Sequence, residues 1–250
     1  DPAYAGALAR AQSLRAFGRG ECARAPWVER QLAEGRFEAS PTRIETFYRC
    51  RFAHFCRYIL GVRRERGAKL DAPQTGTFIH HALEHILREV MEQDLWELDE
   101  TALRARVELV TKRYLDGYLG GAHDKPARFR YLFFRLQGIL ESLVDSLFAE
   151  LRQSGFVATD FELEIGADGA VASMRVEYEG GSVRVRGVAD RVDVLAAEDG
   201  PYVRVVDYKS GAKQFQLDDV YNGLNMQMLI YLFSICEHGA ARYGSNPRPA

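Results

Sequence analysis

Three side chains at the ends of two β-branched runs could do chemistry together. In Gly187-Val188-Ala189-Asp190-Arg191-Val192-Asp193-Val194, strand alternation puts Val188, Asp190, Val192 and Val194 on one face, so Asp190 interrupts an apolar row. In the run from Tyr202 to Lys209, the same alternation carries Val203, Val205, Asp207 and Lys209 to one face. Charge among valines is costly unless it is paired or binds a metal. A turn at Asp199-Gly200 joins the two runs into a hairpin, which can bring Asp190 beside Asp207. Two carboxylates that close repel unless a cation lies between them, and oxygen donors suit a hard ion such as Mg²⁺. Lys209 then stands beside the ion, able to orient a water and to stabilise charge on a phosphate. Asp193 shares the other face with Arg191, where a salt bridge explains both.

The elements that must position these residues run in the order helices, antiparallel strands, helix. Residues 1–39 read as helical pieces, with Leu8, Gln12 and Arg15 on helical spacing and Gly18-Arg19-Gly20 interrupting them. They are expected to be the tail of a preceding domain. Ser40-Pro41 is a helix start, with Thr42-x-x-Glu45 as an alternative capping box. Ile44, Phe47, Tyr48, Phe52, Phe55, Tyr58 and Ile59 follow at helical spacing, a stripe expected in the core. Arg49, Arg51 and Arg57, with Arg63, Arg64 and Arg66, make the densest arginine cluster, either a solvated face or a patch that contacts phosphate.

A second helix begins at Gly76, with Phe78, Ile79, Ala82, Leu83, Ile86, Leu87 and Val90 as its buried face and His80 at the edge. His81 and His85 lie one turn apart, but the metalloprotease zinc pattern needs Glu directly after the first His, and Glu84 is misplaced. Zinc is therefore not expected. Packing helices are predicted over 100–119, with Leu103, Val107, Val110 and Tyr114 inward, and over 127–153, with Leu132, Leu136, Ile139, Leu143, Leu147 and Leu151 inward. Phe161, Leu163 and Ile165 alternate with Glu162 and Glu164 in a half-buried strand. Segments 171–178 and 183–188 form a hairpin about Glu179-Gly180-Gly181, and 217–237 returns to helix with Val220, Leu224, Met228, Tyr231 and Ile235 inward. The order predicts an α+β fold, one mostly antiparallel sheet flanked by helices.

Composition narrows the class. Of 250 residues, 47% are hydrophobic and 27% charged, as in an ordinary globular protein, and no stretch is long and apolar enough to span a bilayer. A formal charge of −2 gives no global pull towards nucleic acid, so any such pull must be local. Cys22, Cys50, Cys56 and Cys236 form no Cys-x-x-Cys pair, which argues against a self-contained zinc or iron–sulfur site. Without a secretion signal, reduced thiols in a cytoplasm are expected. Asn246-Pro247-Arg248-Pro249-Ala250 reads as a linker, and the chain as a fragment of a longer protein.

Asp190 followed by Asp207-x-Lys209 resembles the PD-(D/E)XK nuclease signature, and the closer likeness is to its RecB-like branch. Gly76-x-x-x-His80-x-x-x-Glu84 looks like the leading motif, Gly187-x-x-Asp190-Arg191-x-Asp193 the second, Asp207-Tyr208-Lys209-Ser210-Gly211 the third, and Gln227-x-x-x-Tyr231 the trailing helix motif. Ser40-Pro41-Thr42-Arg43-Ile44-Glu45-x-Phe47-x-x-Cys50-Arg51-Phe52 and Asp219 to Met228 are similar to the C-terminal nuclease domain of the AddB family, the B subunit of bacterial ATP-dependent helicase-nucleases. Arg51 stands where that family usually has proline.

The resemblance implies a restriction-endonuclease-like core over 40–250, helical over 40–153, with its sheet in 155–210 and a helix over 217–237, truncated at the C-terminus. It implies that His80, Asp190, Asp207 and the Tyr208 backbone carbonyl hold Mg²⁺ or Mn²⁺. Lys209 positions the nucleophilic water, and Gln227 and Tyr231 reach the site or the DNA. It further implies a [4Fe–4S] cluster in the full-length protein, with Cys50 as one ligand. The expected reaction is hydrolysis of single-stranded DNA delivered by a helicase partner, the A subunit of the same helicase-nuclease, in repair of double-strand breaks by recombination. The competing reading is a catalytically silent DNA-binding or scaffolding module of the same complex.

Overall fold

The computed structural model describes residues 36–62, 72–93, 97–121, 123, 125–178, 181–209 and 216–250. Leu8, Gln12, Arg15, Cys22, Arg63, Arg64, Arg66, Ser210 and Gly211 lie outside them. The chain forms two compact units. The smaller contains strand β1 (Arg36–Ala39) and the hairpin of β3 (Arg175–Tyr178) and β4 (Gly181–Val185), in the order β1-β4-β3. The end of the expected helical tail is thus a strand, and the single sheet expected from the alternation is two. The predicted 171–178/183–188 hairpin is present, although its strands are shorter and its partner is β1.

The larger unit opens with helix α1 (Pro41–Arg49), whose N-cap is Ser40, with its hydroxyl accepting from Arg43 N at 3.2 Å. The Thr42 box is not used, and the Thr46 hydroxyl instead donates back to the Thr42 carbonyl. The helix does not run on. Cys50 is extended (φ −160°) and caps α2 (Arg51–His54) through its sulfur, and a π-helical turn spans Phe55–Ile59. The break turns the aromatic stripe outwards, so Phe47, Tyr48 and Phe52 are exposed rather than core.

Helix α3 (Ala72–Glu92) begins ahead of Gly76, and its buried face is the predicted one, with Ile79 only partly covered. Helix α4 (Glu100–Leu119) starts on the Asp99 carboxylate, which accepts from Ala102 N, and stops where Gly120 adopts φ +72°. Helix α5 (Ala127–Ser154) follows Pro126 and ends at Gly155, φ +69°. Its inward stripe is Phe133, Leu140, Val144, Phe148 and Leu151. Of the predicted stripe Leu151 is buried, Leu136, Leu143 and Leu147 pack partly buried against the same core, and Ile139 is exposed. Leu83, Ile86, Val107, Leu140 and Phe148 pack with Ala158 and Phe161 of strand β2 (Val157–Ile165) into one core.

The sheet beneath is ordered β2-β5-β6-β7, with β5 Gly187–Ala197, β6 Gly200–Val206 and β7 Arg248–Pro249. Strands β2, β5 and β6 are antiparallel, and β7 lies parallel to β6, so the segment expected to be a linker closes one edge. The predicted helix over 217–237 is two pieces, α6 (Leu217–Tyr221) and α7 (Gln227–His238), followed by α8 (Ala240–Tyr243). Gly223 at φ +76° and Asn225 at φ +55° make the break, conformations that a continuous helix cannot hold. Asp160 ties α8 to β2 by accepting from the Arg242 guanidinium and, at 2.7 Å, from the Tyr243 hydroxyl.

The edge of the α5 stripe gives a direct check. Leu140 is 0% exposed and Ile139 51%. Leu140→Ala should cost about 2–5 kcal/mol of stability in denaturant unfolding, and Ile139→Ala only about 0.5 kcal/mol.

Candidate metal centre

The site grows from the point where the β5–β6 hairpin stops pairing. The ladder runs from Ala197↔Gly200 to Arg191↔Val206, so Asp190 and Asp207 are the next opposed residues. There a side chain replaces the ladder. The Asp190 carboxylate accepts from the Tyr208 backbone N–H at 2.8 Å. The segment from Asp207 to Lys209 leaves the sheet, whereas the sequence suggests that the strand continues through it.

Helix α3 brings His80 to the same point. Its Nε2 donates to the Tyr208 carbonyl at 2.7 Å, and its Nδ1 lies 3.5 Å from Asp190 Oδ2. A neutral ring with the proton on Nε2 therefore turns its Nδ1 lone pair towards a carboxylate oxygen. Strand β2 contributes a residue that the sequence does not single out. The register Phe161↔Arg191 and Leu163↔Ala189 sets Glu162 opposite Asp190, and directly opposed residues share a face. Ligand atoms of His80, Glu162 and Asp190 all lie within 4.8 Å of one another, and among the described residues no other three His, Cys, Asp or Glu do so. Glu162 sits at φ +49°, a strained conformation for a non-glycine residue and one that clusters at functional sites. Its neighbour in spacing, Glu164, gives no reason to prefer it in the sequence.

The electrostatics agree with the geometry. Burial raises the Asp190 carboxyl above its ordinary range, and Asp207 raises it further, against the lowering effect of the Tyr208 N–H, His80 and Lys209. Glu162 is raised by burial, by Asp190 and by Glu84, with His80 opposing. Two acids whose ionisation is opposed by burial and by neighbouring carboxylates, beside an imidazole and a carbonyl, form a donor set that a hard divalent cation would relieve.

Asp207 stands next to this cluster rather than inside it. Its carboxylate is held by Lys209 Nζ at 2.6 and 2.8 Å and by Gln227 Nε2 at 3.2 Å. The ammonium of Lys209 is half-exposed, while Asp207 is nearly covered. Tyr231 lies one turn along α7, buried, with its hydroxyl hydrogen-bonded to the Val188 backbone and to Gln227. Burial pushes that hydroxyl up to about 12. It also explains Gly187, because a Cβ there would overlap the Tyr231 hydroxyl and ring.

The remaining expected residues lie elsewhere. Arg51 is over the Phe47 ring, Arg57 over Tyr58, and Arg49 ends α1, which places the three between the end of α1 and the π-helical turn and not among the donors. Cys50 is exposed with its sulfur capping α2, and Cys56 and Cys236 are partly buried free thiols. The His81 and His85 rings lie tilted against each other with centroids 3.9 Å apart, outside the donor cluster.

Residues 38–249 match the PD-(D/E)XK nuclease superfamily, and the chain belongs to it. It is also similar over most of its length to proteins named as the B subunit of an ATP-dependent helicase/deoxyribonuclease. That of Desulforudis audaxviator (strain MP104C) is 36% identical over 233 residues, 90% of this chain and 20% of the relative. That of Ruminiclostridium cellulolyticum is 34% identical over 211 residues, 83% and 18%, and that of Alkaliphilus oremlandii 31% over 223 residues, 88% and 20%. The chain thus spans about a fifth of the length of these relatives.

The overlap at Gly187 should be measurable. Gly187→Ala is expected to cost about 1–3 kcal/mol in unfolding experiments. Adding Tyr231→Ala should cost less than the sum of the two single changes, since it removes the group that the new methyl meets.

Proposed function

We propose that this chain is a divalent-metal-dependent deoxyribonuclease domain that hydrolyses DNA phosphodiesters. The observation that carries the reading is the convergence of His80, Glu162 and Asp190 beside the Asp207–Lys209 pair, in a chain of a nuclease superfamily. The ligands would be His80, Asp190, Glu162 and the Tyr208 carbonyl, with Asp207 adjoining. A bound Mg²⁺ or Mn²⁺ supplies positive charge that draws electron density from the phosphate oxygens.

The chain's own residues do the rest. The Lys209 ammonium, fixed by Asp207, orients the attacking water and offsets charge on the phosphate as the bond to the leaving oxygen breaks. Gln227 donates to the Oδ1 that also accepts from Lys209, a second tie that restrains the carboxylate from following the lysine towards solvent. Tyr231 locks α7 against β5 at Gly187 and so keeps Gln227 in place.

The relatives' names, each the B subunit of an ATP-dependent helicase/deoxyribonuclease, support a place in a helicase-nuclease complex; in this reading a partner helicase, the A subunit, delivers single-stranded DNA for recombinational repair in the cytoplasm. Among the described residues no helix is long and apolar enough to cross a membrane. Cys50 remains the candidate iron–sulfur ligand of a longer protein. A single exposed thiol does not make a cluster site, so no step here depends on one.

The test is degradation of labelled single-stranded DNA with Mg²⁺ or Mn²⁺. Cleavage should vanish in EDTA and fall at least about 10²-fold in Asp190→Asn and in Lys209→Ala, with unchanged circular dichroism. Wild-type rates in either variant would refute the assignment.

A further inference from the structure

A chain of ion pairs, partly exposed at Glu150 and fully buried at Asp193, reaches the site along the sheet face that Arg191 shares with Phe161. It begins on α5, where Glu150 accepts from Arg204 Nη1 and Nη2 at 2.7 and 2.9 Å. Arg204 Nε donates to Asp193 Oδ2 at 2.7 Å, and Arg191 Nη2 donates to the same oxygen at 2.9 Å. Arg191 Nε faces Asp193 Oδ1 at 2.7 Å as an ion pair rather than a directed hydrogen bond. The chain ends where Arg191 Nη1 donates to the Tyr208 hydroxyl at 2.8 Å.

Arg191 is 2% exposed and Asp193 0%, deeper than a pair needed only for solubility or surface charge. The two guanidinia and two carboxylates balance, so the network carries no net charge into the core. Burying it still costs more than an apolar filling would, and such networks are weak contributors to stability. What it does fix is the tyrosine. Tyr208 is the residue whose N–H holds Asp190 and whose carbonyl faces His80. Its peptide lies beyond the last ladder pair, Arg191↔Val206, so the sheet does not hold it. The side chain anchors what the backbone pairing has released.

We propose that Arg191, braced by Asp193, Arg204 and Glu150, is a positioning residue that sets the Tyr208 peptide through the tyrosine hydroxyl. It thereby aligns the carbonyl and the Asp190 carboxylate for the cation. This rests on the metal-site reading above but not on cleavage. Removing Arg191 outright would leave the buried Asp193 with Arg204 alone and threatens the fold. Tyr208→Phe deletes only the link, and Arg191→Lys keeps the charge while losing the fork.

The experiment uses the 250-residue chain and two readouts without DNA: exchange of the position-208 amide by NMR, and Mn²⁺ affinity by titration. Tyr208→Phe should speed that exchange and weaken Mn²⁺ binding, each by about tenfold, as loss of an outer hydrogen bond does at metal sites. Arg191→Lys should do the same, and the double variant should be no worse than the poorer single one. Val203→Ala, buried in β6, should lower Tm but leave Mn²⁺ affinity unchanged. Wild-type exchange and affinity in Tyr208→Phe, losses that multiply in the double variant, or an equal loss of affinity in Val203→Ala would each overturn the proposal. If the wild type binds no Mn²⁺, the amide exchange still decides it. A wild type that binds Mn²⁺ without cleaving DNA would instead count against the nuclease reading alone.

Discussion

The hydrogen bond from the Tyr208 N–H to the Asp190 carboxylate is the contact on which the candidate site depends. It lies one step past the last pair of a regular antiparallel hairpin, where the next donor would ordinarily find a main-chain acceptor or water. A side-chain oxygen takes that place, and the chain peels away from the sheet. The peel separates the functions of three groups on two consecutive residues. Asp207 turns to Lys209 and Gln227, the Tyr208 carbonyl turns to His80, and the Tyr208 ring turns inwards to Arg191. A strand that ran on unbroken would have locked all three into ladder geometry.

The rest of the larger unit serves to hold that end of the hairpin from both sides. On one side, α3 is fixed by the apolar core it shares with α4, α5 and β2, so His80 arrives on a rigid element. On the other, α7 seats Tyr231 over Gly187 and presents Gln227. Burial raises both Asp190 and Glu162; Asp207 adds to the first, and Asp190 to the second. The fold therefore stores an electrostatic cost at this point, as sites that bind a cation do.

Much of this is legible in the residues because strand alternation has a strict period of two. Asp190 and Lys209 stand out by interrupting valine rows, and Asp199-Gly200 gives the hairpin register. Arg191 and Asp193 pair as alternation suggests, although alternation alone cannot show that their face is the buried one. Glu162 is not legible. Its role depends on the β2–β5 register, and the chain between those strands detours through the β3–β4 hairpin, so no short-range signal links them. The stripe on α5 is read one residue off centre: Leu136, Leu143 and Leu147 flank the buried line of Phe133, Leu140, Val144 and Phe148, and Ile139 falls outside it. The long C-terminal helix is overextended because a pattern of inward residues carries the reading across Asn222-Gly223, a turn signal that prevails in the structure.

Diffraction from crystals of the 250-residue chain soaked in Mn²⁺, recorded where manganese scatters anomalously, tests the central claim most directly. The account predicts one strong anomalous peak among His80, Glu162, Asp190 and the Tyr208 carbonyl, absent from crystals of Asp190→Asn. A peak at the His81–His85 pair instead, or an undiminished peak in the variant, would contradict it.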